Sequence, residues 1–190
     1  MSGHRRYSSP AERLRAPERL ALLEVPRVVS LCLDGIAAAR VLDVGTGTGI
    51  FAEAFAGLGI EVAGIDPNSE LLNLARGHAP RASFQAGIAE KLPFEDASFD
   101  LVFLGHVLHE TDDRQAALAE ARRVARKRVA ILEWPYIDED RGPPLGHRLQ
   151  PAEILSLAEG AGFSDVTSFT LRHMHLYLMA PHAAPYPALQ

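Results

Sequence analysis

"VLDVGTGTGIFAEAFA", Val41 to Ala56, decides how the chain is read. Arg40 to Gly45 is a short apolar run and predicts a buried strand. Ile50 to Leu58 carries helical spacing and should end near Gly57 and Gly59. Between them stand Gly45, Gly47 and Gly49. A glycine-rich turn from strand to helix lets a ligand lie close against the backbone. The strand after it should run from Glu61 to Asp66, so an acid closes it, 21 residues after Gly45.

The same alternation continues outward. A helix is predicted over Ser69 to Gly77 and a strand over Ala82 to Ala86. LPFEDASFD reads as a loop, with a turn at Asp96-Ala97-Ser98, and Leu101 to Leu104 as a fourth strand. Asp113 to Ala125 should be helical, Arg128 to Glu133 a fifth strand, and Trp134 to Gln150 a loop. Pro151 opens a helix closing at Gly160 or Gly162. Asp165 to Leu171 and Met174 to Met179 pair as a hairpin. Short strands that are apolar on both faces, alternating with helices, indicate a mostly parallel sheet covered on both sides. The class expected is therefore α/β, Rossmann-like, with seven strands, a C-terminal antiparallel hairpin strand and an N-terminal helical extension. The divisions expected are 1–38 as a helical segment and candidate lid carrying His4, Arg5, Arg6 and Tyr7, 39–181 as the binding domain, and 182–190 as a loose tail.

Composition narrows the classes. With 190 residues, 47% of them hydrophobic, the chain can bury one sizeable core. A net charge of −5 gives no general affinity for nucleic acid or anionic membranes. The basic run Arg122, Arg123, Arg126, Lys127 and Arg128 reads as a solvated helix end before a buried strand, where cations suit the helix dipole. Cys32 is the single cysteine, which excludes an internal disulfide and suits a reducing cytoplasm; its place in VVSLCL suggests a small buried hydrophobe. No apolar run approaches the ~18 residues of a membrane span, and MSGHRRYSSP lacks the apolar core of a signal peptide. His106 with His109, and His173 with His175, have metal-like spacing, but no Cys-x-x-Cys or His-Glu-x-x-His accompanies them, so no metal is expected.

The glycines spell G-x-G-x-G, with Ile50 where a dinucleotide fingerprint has its third glycine. Glycine loop and acid together indicate a ribose-bearing cofactor without fixing which. VLDVGTGTG followed by VAGIDPN resembles the glycine and acidic motifs of class I S-adenosylmethionine-dependent methyltransferases. AEKLPFEDASFDLV, GHVLHE and ALAEARRVARKRVAILEW extend the resemblance toward the subfamily of ubiquinone and menaquinone biosynthesis enzymes, over roughly residues 38–180. The resemblance implies S-adenosyl-L-methionine held by Asp43, Gly45, Thr46, Gly47, Gly49, Asp66, Pro67, Ile88, Ala89, Gly105 and His106. In it Asp66 takes the ribose hydroxyls, and Asp43 lies near the methionine ammonium or acts through a neighbour. Relatives often carry Gly-Asp-Ala-Glu where this chain has Gly87-Ile88-Ala89-Glu90, so adenine here would meet apolar contact and backbone.

Methyl transfer needs alignment of the acceptor and exclusion of water, and a base only when the acceptor arrives protonated. The end of the fourth strand points to His106 as base or orienting donor, with His109 and Glu110 read as the start of the next helix. Trp134, Tyr136, His147 and Arg148 follow the fifth strand, and Tyr136 and His147 are the further catalytic candidates. The partner expected is a small-molecule methyl acceptor, with a homodimer allowed. The alternatives are a nicotinamide-dependent oxidoreductase and a non-catalytic protein that binds S-adenosylmethionine.

Overall fold

The computed structural model describes residues 11–181. The expectations for His4 to Tyr7 and for 182–190 fall outside them. After a 3-10 turn at Ala11–Arg15 come α1 (Pro17–Leu23) and α2 (Val25–Leu33). The alternating part follows as β1 (Arg40–Val44), α3 (Ile50–Gly57), β2 (Glu61–Asp66), α4 (Ser69–His78), β3 (Ser83–Ala86) and β4 (Phe99–Gly105). The chain continues through α5 (Arg114–Val124), β5 (Ala125–Glu133), α6 (Pro151–Gly160), β6 (Val166–Thr170) and β7 (His175–Met179). The seven strands form one sheet in the order β3-β2-β1-β4-β5-β7-β6. β1 to β5 pair in parallel, and β7 joins β5 and β6 antiparallel.

Strand alternation builds a core on each side. Val41, Leu101, Phe103, Ala130 and Leu132 face α1, α2 and α3 with Leu23, Val28, Cys32, Phe51 and Phe55. Leu42, Val102, Leu104, Val129 and Ile131 face α5 and α6 with Leu118, Ala121, Val124, Ile154 and Ala158. Cys32 is fully buried, and burial pushes its thiol up to about 12, so it packs as a small hydrophobe. The chain reverses direction across the sheet between β1 and β4, where ligand crevices form beyond the strands' carboxyl ends.

Two boundaries differ from the sequence reading by more than one residue. β4 begins at Phe99 rather than Leu101, and β5 begins at Ala125, directly after the last residue of α5. The basic run is correspondingly not a solvated helix end. Arg122 and Arg123 close α5, and the other three cations lie on β5. Asp100, buried in β4, explains the difference. Its Oδ2 accepts the Ala39 and Arg40 N–H groups at 2.8 and 3.2 Å, and its Oδ1 meets Arg126 at 3.0 Å and Lys127 at 3.2 Å. Lys127 also donates to the Ala37 carbonyl, and Arg128 to those of Cys32 and Asp34, satisfying the carboxyl end of α2. The run thus fastens the end of the sheet remote from the strands' carboxyl termini.

These hydrogen bonds hold the Asp100 carboxyl at about 2, against the desolvation that opposes them. A carboxyl lowered on folding stabilises the fold above its unfolded value of about 3.9, and that stability is lost as pH falls through the folded value. Asp100→Ala should cost about 3 kcal/mol at neutral pH. The difference from the parent should shrink between about pH 4 and 2, as read by denaturant titration across that range.

Candidate active site

The glycine loop is shaped from beneath by Asp43. This buried carboxylate accepts the Thr46 hydroxyl at 2.7 Å and the Ala52 N–H at 3.1 Å, with the same Oδ2. Burial raises its pKa to about 7, with nearby Asp66 adding to the rise and the two hydrogen bonds opposing it. Ala52 lies in the first turn of α3. The helix terminus that would otherwise receive a phosphate is therefore occupied by the chain's own carboxylate.

Gly45, Gly47 and Gly49 all have positive φ. They need glycine for different reasons. A Cβ on Gly45 would stand 2.2 Å from Val107, and one on Gly49 3.0 Å from the Ala75 Cβ, so these two allow close packing, the second between α3 and α4. A Cβ on Gly47 would make only ordinary contacts, with Leu14 at 3.9 Å and the Gly45 carbonyl at 4.0 Å.

Above the loop opens a cavity of about 830 Å³. The carboxyl ends of four parallel strands and the segment after β3 wall it. The end of β1 and the loop after it supply Val44, Gly45 and Gly47, and the end of β2 supplies Asp66, followed by Pro67. The segment after β3 supplies Ile88 and Ala89, the end of β4 Gly105 and His106, and the end of β5 Trp134. Leu14 and Arg19 from the N-terminal segment border it as well. Asp66 is held in place at both oxygens: Oδ2 accepts the Gly47 N–H at 2.9 Å and Oδ1 the Asn68 N–H at 2.8 Å. Asn68, not Asp66, caps α4, accepting the Glu70 and Leu71 N–H groups.

Of the residues expected from sequence, the structure brings Gly45, Gly47, Asp66, Pro67, Ile88, Ala89, Gly105 and His106 to this cavity. Asp43, Thr46 and Gly49 lie behind the wall and brace it. Tyr136 and His147, the other catalytic candidates, are both exposed, and neither lines the cavity. The loop after β5 contributes Gly142 and Pro143 instead. The cause is Arg148, whose side chain turns fully inward and leaves its neighbour His147 facing out.

His106 is one of three non-glycine residues with positive φ among the described residues, at 60°, a conformation that marks local strain. Its N–H donates to the Leu132 carbonyl at 2.8 Å, its Nε2 sits 3.2 Å from the Met174 sulfur, and its ring stacks on Trp134 at 5.4 Å. Burial lowers its pKa well below the usual imidazole value, and the charges of Arg19 and His109 lower it further. His106 is thus a neutral, held ring.

A second, more deeply buried histidine lies three residues on. Leu108–Glu110 forms a 3-10 turn, not the start of α5, and seats His109 in the buried part of the wall. His109 Nδ1 is 2.7 Å from Glu133 Oε2, and its backbone N–H donates to Glu133 Oε1 at 3.2 Å. Glu133 is the last residue of β5 and 1% exposed. Burial presses the imidazole downward, but the charge and hydrogen bond of Glu133, with Glu110 beside them, outweigh it and leave the pKa raised. In the neutral ring a carboxylate accepting at Nδ1 puts the proton there and the lone pair on Nε2, which lies 3.7 Å from Glu110 Oε1. Sequence reading missed Glu133 because a carboxylate closing an apolar strand pairs with a residue 24 positions away. Two acids ending parallel strands, Asp66 and Glu133, were the available signal.

The comparisons agree with this geometry. Residues 42–132 match the methyltransferase domain family. The chain is 36% identical over 112 residues to a demethylmenaquinone methyltransferase of Renibacterium salmoninarum, covering 58% of this chain and 47% of that protein. It is 38% identical over 95 residues to the corresponding protein of Chlorobaculum tepidum, covering 50% and 39%. The chain therefore spans less than half the length of these curated relatives. A SAM-dependent methyltransferase of Aquifex aeolicus superposes with a TM-score of 0.80 at 25% identity, over 90% of this chain and 96% of that one. The glycine loop, the acid closing β2 and the strand order thus accompany a match to the methyltransferase domain family over residues 42–132 and a fold similar to that of a SAM-dependent methyltransferase.

Proposed function

We propose that the protein transfers a methyl group from S-adenosylmethionine to a small molecule bearing an ionisable hydroxyl. His109, which lines the cavity, paired with the buried Glu133, carries this reading. The cavity fits the cofactor. Gly47 presents bare backbone, the Asp66 carboxylate is fixed at the end of β2, and Asp43 closes the α3 terminus against a pyrophosphate. That last contact also argues against a nicotinamide dinucleotide. When bound, S-adenosylmethionine supplies a methyl carbon made electrophilic by its sulfonium.

The chain's own part follows from the geometry. Asp66 holds the ribose, and the glycine loop lies along the methionine moiety. His106, fixed by Trp134 and Met174, orients the acceptor and helps exclude water. His109 Nε2 would take the proton of the acceptor hydroxyl, leaving its oxygen, or the ring carbon it activates, as the nucleophile. Glu133 then faces the imidazolium so formed. The two relatives named for demethylmenaquinone support a hydroxyaromatic acceptor.

A panel of phenols and naphthoquinols, each paired with its O-methyl-blocked analogue, tests the proposal. Adenosylhomocysteine should form only with the unblocked compounds. Equal formation with blocked compounds would remove the need for a base. Adenosylhomocysteine binding with no turnover on any compound would favour a binding protein.

A further inference from the structure

We infer that Arg148 is the positioning residue of the acceptor side, folding the loop 135–148 into a wall that holds Trp134 and, through it, His106. The sequence presents this loop as proline- and glycine-rich with charges throughout, the pattern of a solvated connection. The structure makes it depend on one guanidinium.

The Arg148 side chain is fully buried. Its Nε donates to the Pro143 carbonyl at 2.8 Å, and Nη1 donates to the Pro135 carbonyl and to Glu139 Oε1, both at 2.9 Å. Nη2 donates to the Arg141 carbonyl. All four acceptors belong to the loop itself. A loop of this length would ordinarily turn its carbonyls to water. Here three point inward to a single planar donor set, with one carboxylate to match its charge. Lysine has no such fork and cannot span them.

The clamp delivers its effect through the indole. Arg148 Cζ lies 5.5 Å from the Trp134 ring centroid. Gly142, at φ +76°, packs so closely that a Cβ there would stand 2.7 Å from the indole. The same indole stacks on His106. Trp134, Gly142, Pro143 and His106 all line the cavity, so Arg148, which does not line it, sets the shape of that wall. The inference rests on the proposed function only for what this wall faces, an acceptor.

Trp134 is the chain's single tryptophan, so its fluorescence reports this wall alone. Acrylamide is the probe. Trp134 is 6% exposed, and quenching of the parent protein should be weak. Arg148→Ala and Arg148→Lys should both quench several-fold more strongly, while calorimetry shows adenosylhomocysteine affinity unchanged. Millimolar methylguanidinium should restore protection in Arg148→Ala, where the space is vacant, and not in Arg148→Lys. Gly142→Ala, which keeps Arg148 and displaces the loop from the indole, should reproduce the stronger quenching. Unchanged quenching in the Arg148 variants would overturn the inference. So would loss of adenosylhomocysteine binding together with Trp134 protection, since Arg148 would then support the whole fold. A parent protein that fails to bind adenosylhomocysteine would defeat the proposed function and leave the quenching result to decide the clamp.

Discussion

Replacing His109 with alanine will lower methyl transfer by about 10²–10⁴-fold, the usual loss on removing a positioned base. Adenosylhomocysteine should bind as before, because Asp66 and the glycine loop stand on other strands. Glu133→Gln separates the two parts of the pair. It keeps the shape but removes the charge that raises the imidazole. A base works when neutral, so activity of the parent should rise with pH through a value above the ordinary ~6.5 of histidine. In Glu133→Gln that acid limb should move to lower pH, and the plateau should fall because Gln no longer enforces the Nδ1–H tautomer. The pH dependence of single-turnover rates checks both. An unmoved acid limb in Glu133→Gln would show that His109 is not the titrating group, and attention would return to His106.

Asp66→Ala will act on the other half of the site. The Gly47 and Asn68 N–H groups fix the Asp66 carboxylate at the end of β2, and a carboxylate can accept several hydrogen bonds at once. Two charge-assisted bonds to ribose hydroxyls, at about 1.5–3 kcal/mol each, correspond to about 10²–10⁴ in affinity. The substitution also strands the Gly47 and Asn68 N–H groups, which loosens the loop that the methionine moiety lies along. Asp66→Asn keeps one acceptor and should fall between. Calorimetry with adenosylhomocysteine, alongside circular dichroism to confirm folding, decides it. Undiminished affinity in folded Asp66→Ala would remove ribose binding from this carboxylate.

The elements easiest to read were those whose signal is local. The glycine loop, the acid closing β2 and the apolar runs of β1, β4 and β5 announce a parallel sheet because burial on both faces leaves no polar alternation. Phe99 and Asp100 resemble a turn because an aspartate inside a strand is uncommon; its partners, Ala39, Arg126 and Lys127, are distant in sequence. The same holds at the site. Asp66 could be assigned a role from its position at a strand end. His109, Glu133 and Arg148 acquire theirs only when the sheet brings β4, β5 and the following loop together. Tyr136 and His147 looked as suitable as Arg148 because nothing local tells which side chain of a loop turns inward.

The position of β7 bears on how the protein is made. It is the last strand of the described residues, yet it lies inside the sheet, between β5 and β6. During synthesis β1 to β5 emerge first, and the cofactor half, built on β1 and β2, can assemble while the ribosome is still at work. β5 must wait with an open edge, although Val129, Ile131 and Leu132 along it are fully buried in the finished fold. An apolar strand with unpaired backbone groups invites pairing with another chain. Glu133 sits at the end of this strand opposite His175, and His106 leans on Met174, just before β7. The hairpin that seals the edge therefore also finishes the wall around His106 and Glu133, so a nascent chain gains its glycine loop before this wall.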